Sequence, residues 1–435
     1  SACTLFSAYQ PGPIFTVNTT ADDTLDGVCS DIHCTLREAI NAANTTAGDN
    51  TILFEVGESQ ILILTAALPA VSSINGALTI DGETHAITIN GADSFRVFDA
   101  SANAQLTLAN LVVANGRHVG AECYGLSCGG GLKVSSGAVV TIENIILQNN
   151  TTQNLGGGIF NEGDLSIQDS TITGCSANEG GGIFNLGTLL VENSALISNT
   201  AGYWGGSIYT EGSLTIVNST LTGNSVSGTA SNNGGGAIDQ YGSGSVTIIT
   251  NSTIADNSAG SPEKSGFWME NGTMTIQNVL LAGNGTGNCL LAGGAFNAGT
   301  DSLSTDATCG SATQTSDAGL GTLIGSPAYY PLDYDSPAVD LGDNTYCPAT
   351  DQRGATRPVD GDRDGEARCD AGAYEASYGP VDMDLSNTNL PENQPVGTVV
   401  GLLTTTDLYP GSIFTYTLVS GAGDTDNALF SITDN

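Results

Sequence analysis

The sequence predicts an all-β chain built chiefly as a right-handed parallel β-helix, a solenoid with a short N-terminal capping helix and a small, partial β-sandwich after it. Three observations carry that expectation. First, the phrase GGGIFNEGDLSIQDSTITGCSANE at Gly156 returns as GGGIFNLGTLLVENSALISNTAGYW at Gly180 and GGSIYTEGSLTIVNSTLTGNS at Gly205. A repeat of about 25 residues, with short β-branched runs broken by Gly, Asn and Ser, cannot close a core alone and buries itself against its neighbours. Second, alignment of the repeats stacks Asn144, Asp169, Asn193, Asn218, Asn251 and Asn278 in one column. Asn150, Cys175, Asn199, Asn224, Asn257 and Asn284 form another. Such columns fit parallel coils whose turns share amide hydrogen bonds along an axis, each strand about 4.8 Å from the next. Right-handed winding is the expected sense of parallel crossovers. Third, the repeat has stopped by Ser336, and beyond Pro380 the text reads as strands and turns of a sandwich.

In chain order, residues 1–14 are an N-terminal extension and 15–51 a cap. Within the cap, Thr35-Leu-Arg-Glu38 reads as a capping box that opens a short helix, with Leu36, Ile40 and Ala43 on one face. Such a helix covers the unpaired backbone and apolar surface of the first coil. Residues 52–335 form the β-helix, irregular at first and regular after Gly129. Its interior set of Ile, Leu and Val at period two excludes a leucine-rich repeat. Cys175 takes an Asn slot and reads as a buried thiol. Residues 336–379 are a closing segment rich in Pro, Asp and Arg, read as a second cap. In it Arg353 and Arg357 are expected to be buried partners of Asp340, Asp351 or Glu375. Residues 380–435 supply the sandwich.

Composition narrows the function classes. Across 435 residues, 45 acidic against 9 basic side chains give a formal charge of −36, which disfavours nucleic acid and anionic membranes and suits divalent cations such as calcium. Close spacing pairs Cys29 with Cys34, Cys123 with Cys128, Cys289 with Cys309 and Cys347 with Cys369, leaving Cys3 and Cys175 over. That usage indicates disulfides and an oxidising compartment. No apolar run approaches a membrane span, and no basic leader precedes Ser1, so any secretion signal is expected to have been removed.

Four parts of the chain resemble known families. CTLREAINAAN at Cys34–Asn44 and SPAVDLGD, DQRGATRPVDGD and CDAGAYE in the closing segment resemble the CSLREAI segment and closing region of bacterial secreted β-helix proteins with anchors of varied type. The GGGIFN and Asn-rich repeats are similar to those of chlamydial polymorphic outer-membrane adhesins. Pro391-Glu392-Asn393 and DTDNALFSI resemble the first strands of bacterial cadherin-like repeats, although Asp407 is followed by Leu-Tyr-Pro rather than another Asp. The resemblance implies an exported surface or matrix protein and implies no reaction.

Candidate sites follow from residue type and spacing. Asp360, Asp362, Asp364 and Glu366 place oxygen donors at alternate positions with Gly365 sixth, as in calcium loops, and Asp370 stands close behind; no Glu occupies the twelfth position of an EF-hand. Phe160, Phe184, Tyr209, Ile238 and Trp268 align as a column that strand alternation sends outward if Ile159, Ile183 and Ile208 point inward, making an aromatic face for a glycan or protein. Glu162, Glu211 and Glu270 share one coil position on alternate coils, about 9.6 Å apart along the axis and near the upper limit for an inverting glycosidase pair. A lyase wants a base, and the regular coils offer Lys133 and Lys264. The reading adopted from the sequence is a non-enzymatic adhesin or extracellular structural protein, with surface glycan, protein or itself as partner. The extension at Ser1–Ile14 could donate a strand to a sandwich left open at Asn435, building filaments. A polysaccharide lyase or inverting glycoside hydrolase is the alternative.

Overall fold

The computed structural model describes residues 11–23, 27–72, 75–377, 382–406, 414–419 and 424–433. It divides into two units, residues 1–375 and 376–435. The first unit is the expected parallel β-helix. One regular coil runs through Val139–Glu143 in a first sheet, Ile146–Gln148 in a second, Thr151–Thr152 in a short fourth and Ile159–Asn161 in a third, before the chain re-enters the first sheet one rung on. Among the described residues the four sheets have 11, 11, 8 and 6 strands, so a residue's position in its coil decides which face it occupies. Pairing is parallel and in register: Val140, Leu165, Leu189 and Leu214 stack in the first sheet, and Ile159, Ile183 and Ile208 in the third. These side chains are almost wholly buried and belong to one continuous apolar core.

Asparagine explains why the coils turn where they do. At the corner between the first and second sheets, Asn144, Asp169, Asn193, Asn218, Asn251 and Asn278 all have positive φ, between 46° and 54°. Asn and Asp tolerate that left-handed geometry better than other residues with a Cβ. The other column lies inside. The Oδ1 atoms of Asn199, Asn224, Asn257 and Asn284 each accept the backbone N–H of the preceding member of the column at 3.0 Å. Each Nδ2 of Asn199, Asn224 and Asn257 reaches the next Oδ1 at 2.8–3.0 Å. Cys175 interrupts this ladder as a fully buried thiol, pushed up to about 12 by desolvation, which leaves it unreactive. A serine column was not anticipated: the hydroxyls of Ser170, Ser194, Ser219 and Ser252 each accept a backbone N–H from the rung before.

At the N-terminal end, helix α1 (Leu36–Thr45) begins at the predicted capping box, with Thr35 and Glu38 bonded reciprocally. Leu36, Ala39, Ile40 and Ala43 enter the solenoid core, so the helix does close that end. The first rung, however, precedes the helix. Strand β1 (Pro11–Val17) pairs in parallel with β2 (Asp49–Phe54), Ile14 lying opposite Thr51. Residues 11–14 are therefore committed within this chain and are not free to complete another chain's sheet; residues 1–10 lie outside the described residues. The closing segment also departs from expectation. Rather than ending the rod, it lies along its flank: Thr350 and Gln352 bond Asn218 and Thr220, Tyr346 and Arg357 bond Asn251, and Asp343 bonds Asn278. Outward-facing apolar residues of the second sheet, Ala255, Leu280 and Ala282, pack with Tyr330, Leu332, Ala338 and Ala371 and hold it there.

All four predicted disulfides are present. Arg353 pairs with Asp351 at 2.7 Å and stacks on Tyr374; Arg357, fully buried, faces Glu375 at 3.4 Å. In the second unit the described residues include one antiparallel pair, Asp382–Leu385 with Leu403–Thr406. Asp407 lies outside the described residues. Among the described residues no helix is long and apolar enough to cross a membrane.

The inner ladder makes a definite prediction. Asn224→Ala leaves the buried N–H of Asn199 and the Leu196 carbonyl without partners, and should lower stability by about 3 kcal/mol in chemical denaturation. Cys175→Asn, which completes the column, should raise it by about 1 kcal/mol. Equal midpoints for parent and both variants would mean that the column is not what holds the rungs.

Candidate functional site

The third sheet presents one face to the core and the other to a hollow beneath the short fourth sheet. Register pairs Phe160 with Phe184, Phe184 with Tyr209, Tyr209 with Asp239 and Asp239 with Trp268. The column thus points outward as expected, but it contains Asp239; Ile238 points inward and is buried in the core. Nor is it an open aromatic stripe. Phe160, Phe184 and Tyr209 stack with ring centroids 5.7 and 4.8 Å apart and are covered by Leu155, Trp204 and the Cys123–Cys128 loop. Trp268 is also buried. These rings form a second, smaller core that stiffens the floor of the hollow.

The hollow, about 430 Å³, is lined by Trp204, Tyr209, Ser231, Asn232, Tyr241, Trp268 and Glu270. One wall comes from an insertion. The left-handed glycine that opens each third-sheet strand recurs 25 residues on from 180 to 205, but 30 residues on from 205 to 235. The added length before Gly234 is tied down by Trp204, whose Nε1 donates to Asn232 O at 2.6 Å, and by Lys264, whose Nζ donates to Ser231 O at 2.5 Å. Gly234 is required for this closeness, since a Cβ there would meet Lys264 Cδ at 2.5 Å and Trp268 Cε3 at 2.9 Å.

Glu270 lines the hollow, and Glu179, Glu211 and Asp239 stand near enough to act on one another or on Glu270 through their charges. Glu179, opposite Trp204 in the fourth sheet, is pushed up to about 7 by burial and then by the charge of Glu211. Glu211 is exposed and accepts a hydrogen bond from the Tyr209 hydroxyl at 2.9 Å; burial and this carboxylate push the phenol up. Asp239 is wholly buried, and neither of its carboxyl oxygens has a hydrogen-bond partner among the described residues. Desolvation, then Glu270, push it well above the usual carboxylate range. Burial also raises Glu270. Lys264 lies over the Trp268 ring, its Nζ 3.3 Å from the centroid, and burial pushes its ammonium down.

Of the three glutamates that share a coil position, Glu211 and Glu270 fall in this cluster on alternate rungs, with Tyr241 between them. Glu162 lies further along and accepts from Tyr124 Oη at 2.5 Å. Lys133 is removed from the cluster by its pairing with Glu122. Burial would raise Glu122, but Lys133 and Arg96 outweigh it and hold it at about 2. Two of the five calcium candidates converge. Asp360 and Asp362 approach one another together with Asp340, which the sequence reading had not included in the loop. Asp340 already accepts N–H groups from Gly361, Asp362 and Arg368. Asp364 is exposed and turned to Glu366 N; Glu366 is exposed too; Asp370 is buried and accepts from Asp340 N. The loop is a series of side-chain-capped turns, in which Asp360 Oδ1 is buried with no hydrogen-bond partner among the described residues.

No family model matches the chain, and no curated protein matches it. A solved structure, the pectate lyase Pel9A, is similar over 85% of this chain and 98% of that one, at 13% identity and a TM-score of 0.44. The expectation of a non-enzymatic protein is corrected here, because it took no account of the titratable groups of displaced proton affinity that stand close to the hollow.

Asp239 gives this cluster a stability signature. Its folded-state affinity lies above that of an unfolded aspartate, so the folded chain keeps the proton between the two values and loses stability as pH rises through that interval. Asp239→Asn should flatten this slope and raise the denaturation midpoint at about pH 8, with little change near pH 4. Parallel pH profiles for parent and variant would contradict the assignment.

Proposed function

We propose that the chain is an exported carbohydrate-active enzyme that cleaves glycosidic bonds in the hollow between the third and fourth sheets. One observation carries this reading: Glu179, pushed up to about 7 by burial and by the charge of Glu211, is paired in the fourth sheet with Trp204, and Glu211 is bonded to Tyr209, two of the rings that wall the cavity. A carboxyl that keeps its proton close to neutral pH can protonate the glycosidic oxygen as the bond breaks. A second carboxylate then activates water or attacks the anomeric carbon. Tyr209 fixes Glu211 through its hydroxyl, and the rings of Trp204, Tyr241 and Trp268 suit the faces of sugar units. Four disulfides support export to an oxidising compartment.

Lyase chemistry is the second reading, favoured by Lys264, whose lowered affinity suits a base. Hydrolysis is preferred because Lys264 Nζ is engaged by Ser231 O and the Trp268 face, while the carboxyls outnumber it. A polysaccharide panel assayed for both reducing ends and ultraviolet-absorbing unsaturated ends separates the two. The expected outcome is reducing ends without unsaturation, and a fall of about 100-fold or more in kcat for Glu179→Gln and for Glu211→Gln. As Glu179 must be protonated to act, the parent's rate should decline as pH rises through about 7. Undiminished turnover by either variant would overturn this assignment, and unsaturated ends would move it to Lys264.

A further inference from the structure

Resting on that reading, the path of the glycan can be followed beyond the hollow. Two lines of residues run along the rod, before and after the stacked rings of the third sheet. In the line before them Cys128, Leu155, Glu179, Trp204 and Gly234 are bridged in turn. In the line after them Glu162, Leu186, Glu211, Tyr241 and Glu270 succeed one another rung by rung, each following a registered strand of that sheet. The hollow lies toward one end of this track, where Trp204, Tyr241 and Glu270 line it. Tyr124 stands toward the other. Its loop is closed by the Cys123–Cys128 disulfide and by reciprocal backbone bonds between Cys123 and Leu126 at 3.0 and 2.8 Å, and both cysteines pack with Phe160. The loop thus starts from the first line, while Tyr124 Oη donates to Glu162 Oε1 of the second at 2.5 Å. Tyr124 is 72% exposed and has a φ of 54°, a costly setting for a bulky side chain. A ring fixed outward by a disulfide, a strained backbone and a hydrogen bond adds nothing to the core, and such strain is commonly kept where a ligand binds. The bond to Glu162 comes first in raising its phenol, and the charge of Glu211 reaches it too, so the ring stands on the same side of the rod as that carboxylate. Glu162 and Tyr241 are three rungs apart, about 14 Å, with Glu211 between them.

We propose that Tyr124 is an outlying sugar subsite for the same glycan: a polymer lies along the rod with one unit in the hollow against Tyr241, a later unit stacked on the Tyr124 ring, and Glu211 between the two. The site then favours long chains over short ones, because only a long chain reaches both rings at once. Glu162, which shares its coil position with Glu211 and Glu270, holds the Tyr124 ring in place and takes no part in cleavage.

The test uses the whole chain carrying Glu179→Gln, so that bound sugar is not consumed, and isothermal titration with trimers and hexamers of β-1,4-linked glucose, mannose and xylose. These probes are uncharged, and the net charge of −36 does not repel them. At least one hexamer should bind about tenfold more tightly than its trimer, and Tyr124→Ala should cut that ratio about fivefold, the worth of one stacked ring. Tyr124→Phe keeps the ring and loses the bond to Glu162, and should preserve the ratio within about twofold. The same ratio in parent and Tyr124→Ala, an equal loss in Tyr124→Phe, or no saturable binding of any hexamer would overturn the proposal. Cleavage is followed separately in the chain with Glu179 intact. Cleavage of a polysaccharide with a length preference that Tyr124→Ala leaves untouched would sink the subsite and spare the enzymatic reading. Tyr124-dependent binding of a hexamer without cleavage of any glycan would do the reverse.

Discussion

Axial register, fixed at the buried corner by asparagine side chains, is the constraint on which the rest of the chain depends. Each Oδ1 of that ladder takes the backbone N–H of the preceding coil, and each Nδ2 reaches the next Oδ1 or a carbonyl inside the bend. In an interior of low dielectric a missed bond of this kind costs far more than a satisfied one contributes, so the rungs have little freedom to slip. A shift of one residue would also turn every inward Ile, Leu and Val to the outer face.

Once register is fixed, chemistry becomes a matter of rung position. Residues at one coil position lie about 4.8 Å apart on neighbouring rungs, whatever their separation in sequence. Tyr209, Asp239 and Trp268 become neighbours in this way, and Glu211 and Glu270 stand two rungs apart on the same line. The rod supplies rigidity, and the stacked phenyl rings behind Tyr209 hold its hydroxyl on Glu211. Against that rigid wall the insertion before Gly234 forms one side of the hollow. Burial of so many carboxyls opposes folding at neutral pH, which is the usual relation between a working site and the stability of its scaffold.

Much of this was legible in the sequence, and the failures have physical causes. The parallel coils, both asparagine columns, the helix cap at Thr35 and the four disulfides follow from short-range pattern and are found as expected. Glu211, Glu270, Tyr209 and Trp268 were each singled out, but for separate reasons and not as one site. Asp239 was missed by a single residue. GGGAIDQ has three glycines, and counting from the first puts Ile238 in the outward column; counting from Gly235, the one with positive φ, puts Asp239 there. Alignment of GGAIDQYG on GGSIYTEG would have found it. Glu179 had no such signal, because its line of neighbours, Leu155, Glu179 and Trp204, lies in the short fourth sheet, where lengths vary and no repeat is visible. Where the closing segment lies was equally hidden: an apolar second-sheet face reads the same whether it is covered by a flank or left open.

If register truly gathers these carboxyls under cover, their proton affinities must show it. Carbon-13 NMR of side-chain carboxyls, with Asp239→Asn and Glu179→Gln used for assignment, measures them directly. The result expected is one glutamate titrating at about 7 and one aspartate that keeps its proton well above the usual range. Titration of every carboxyl near its ordinary value of about 4 would contradict the clustered, desolvated site and with it the chemistry assigned to the hollow.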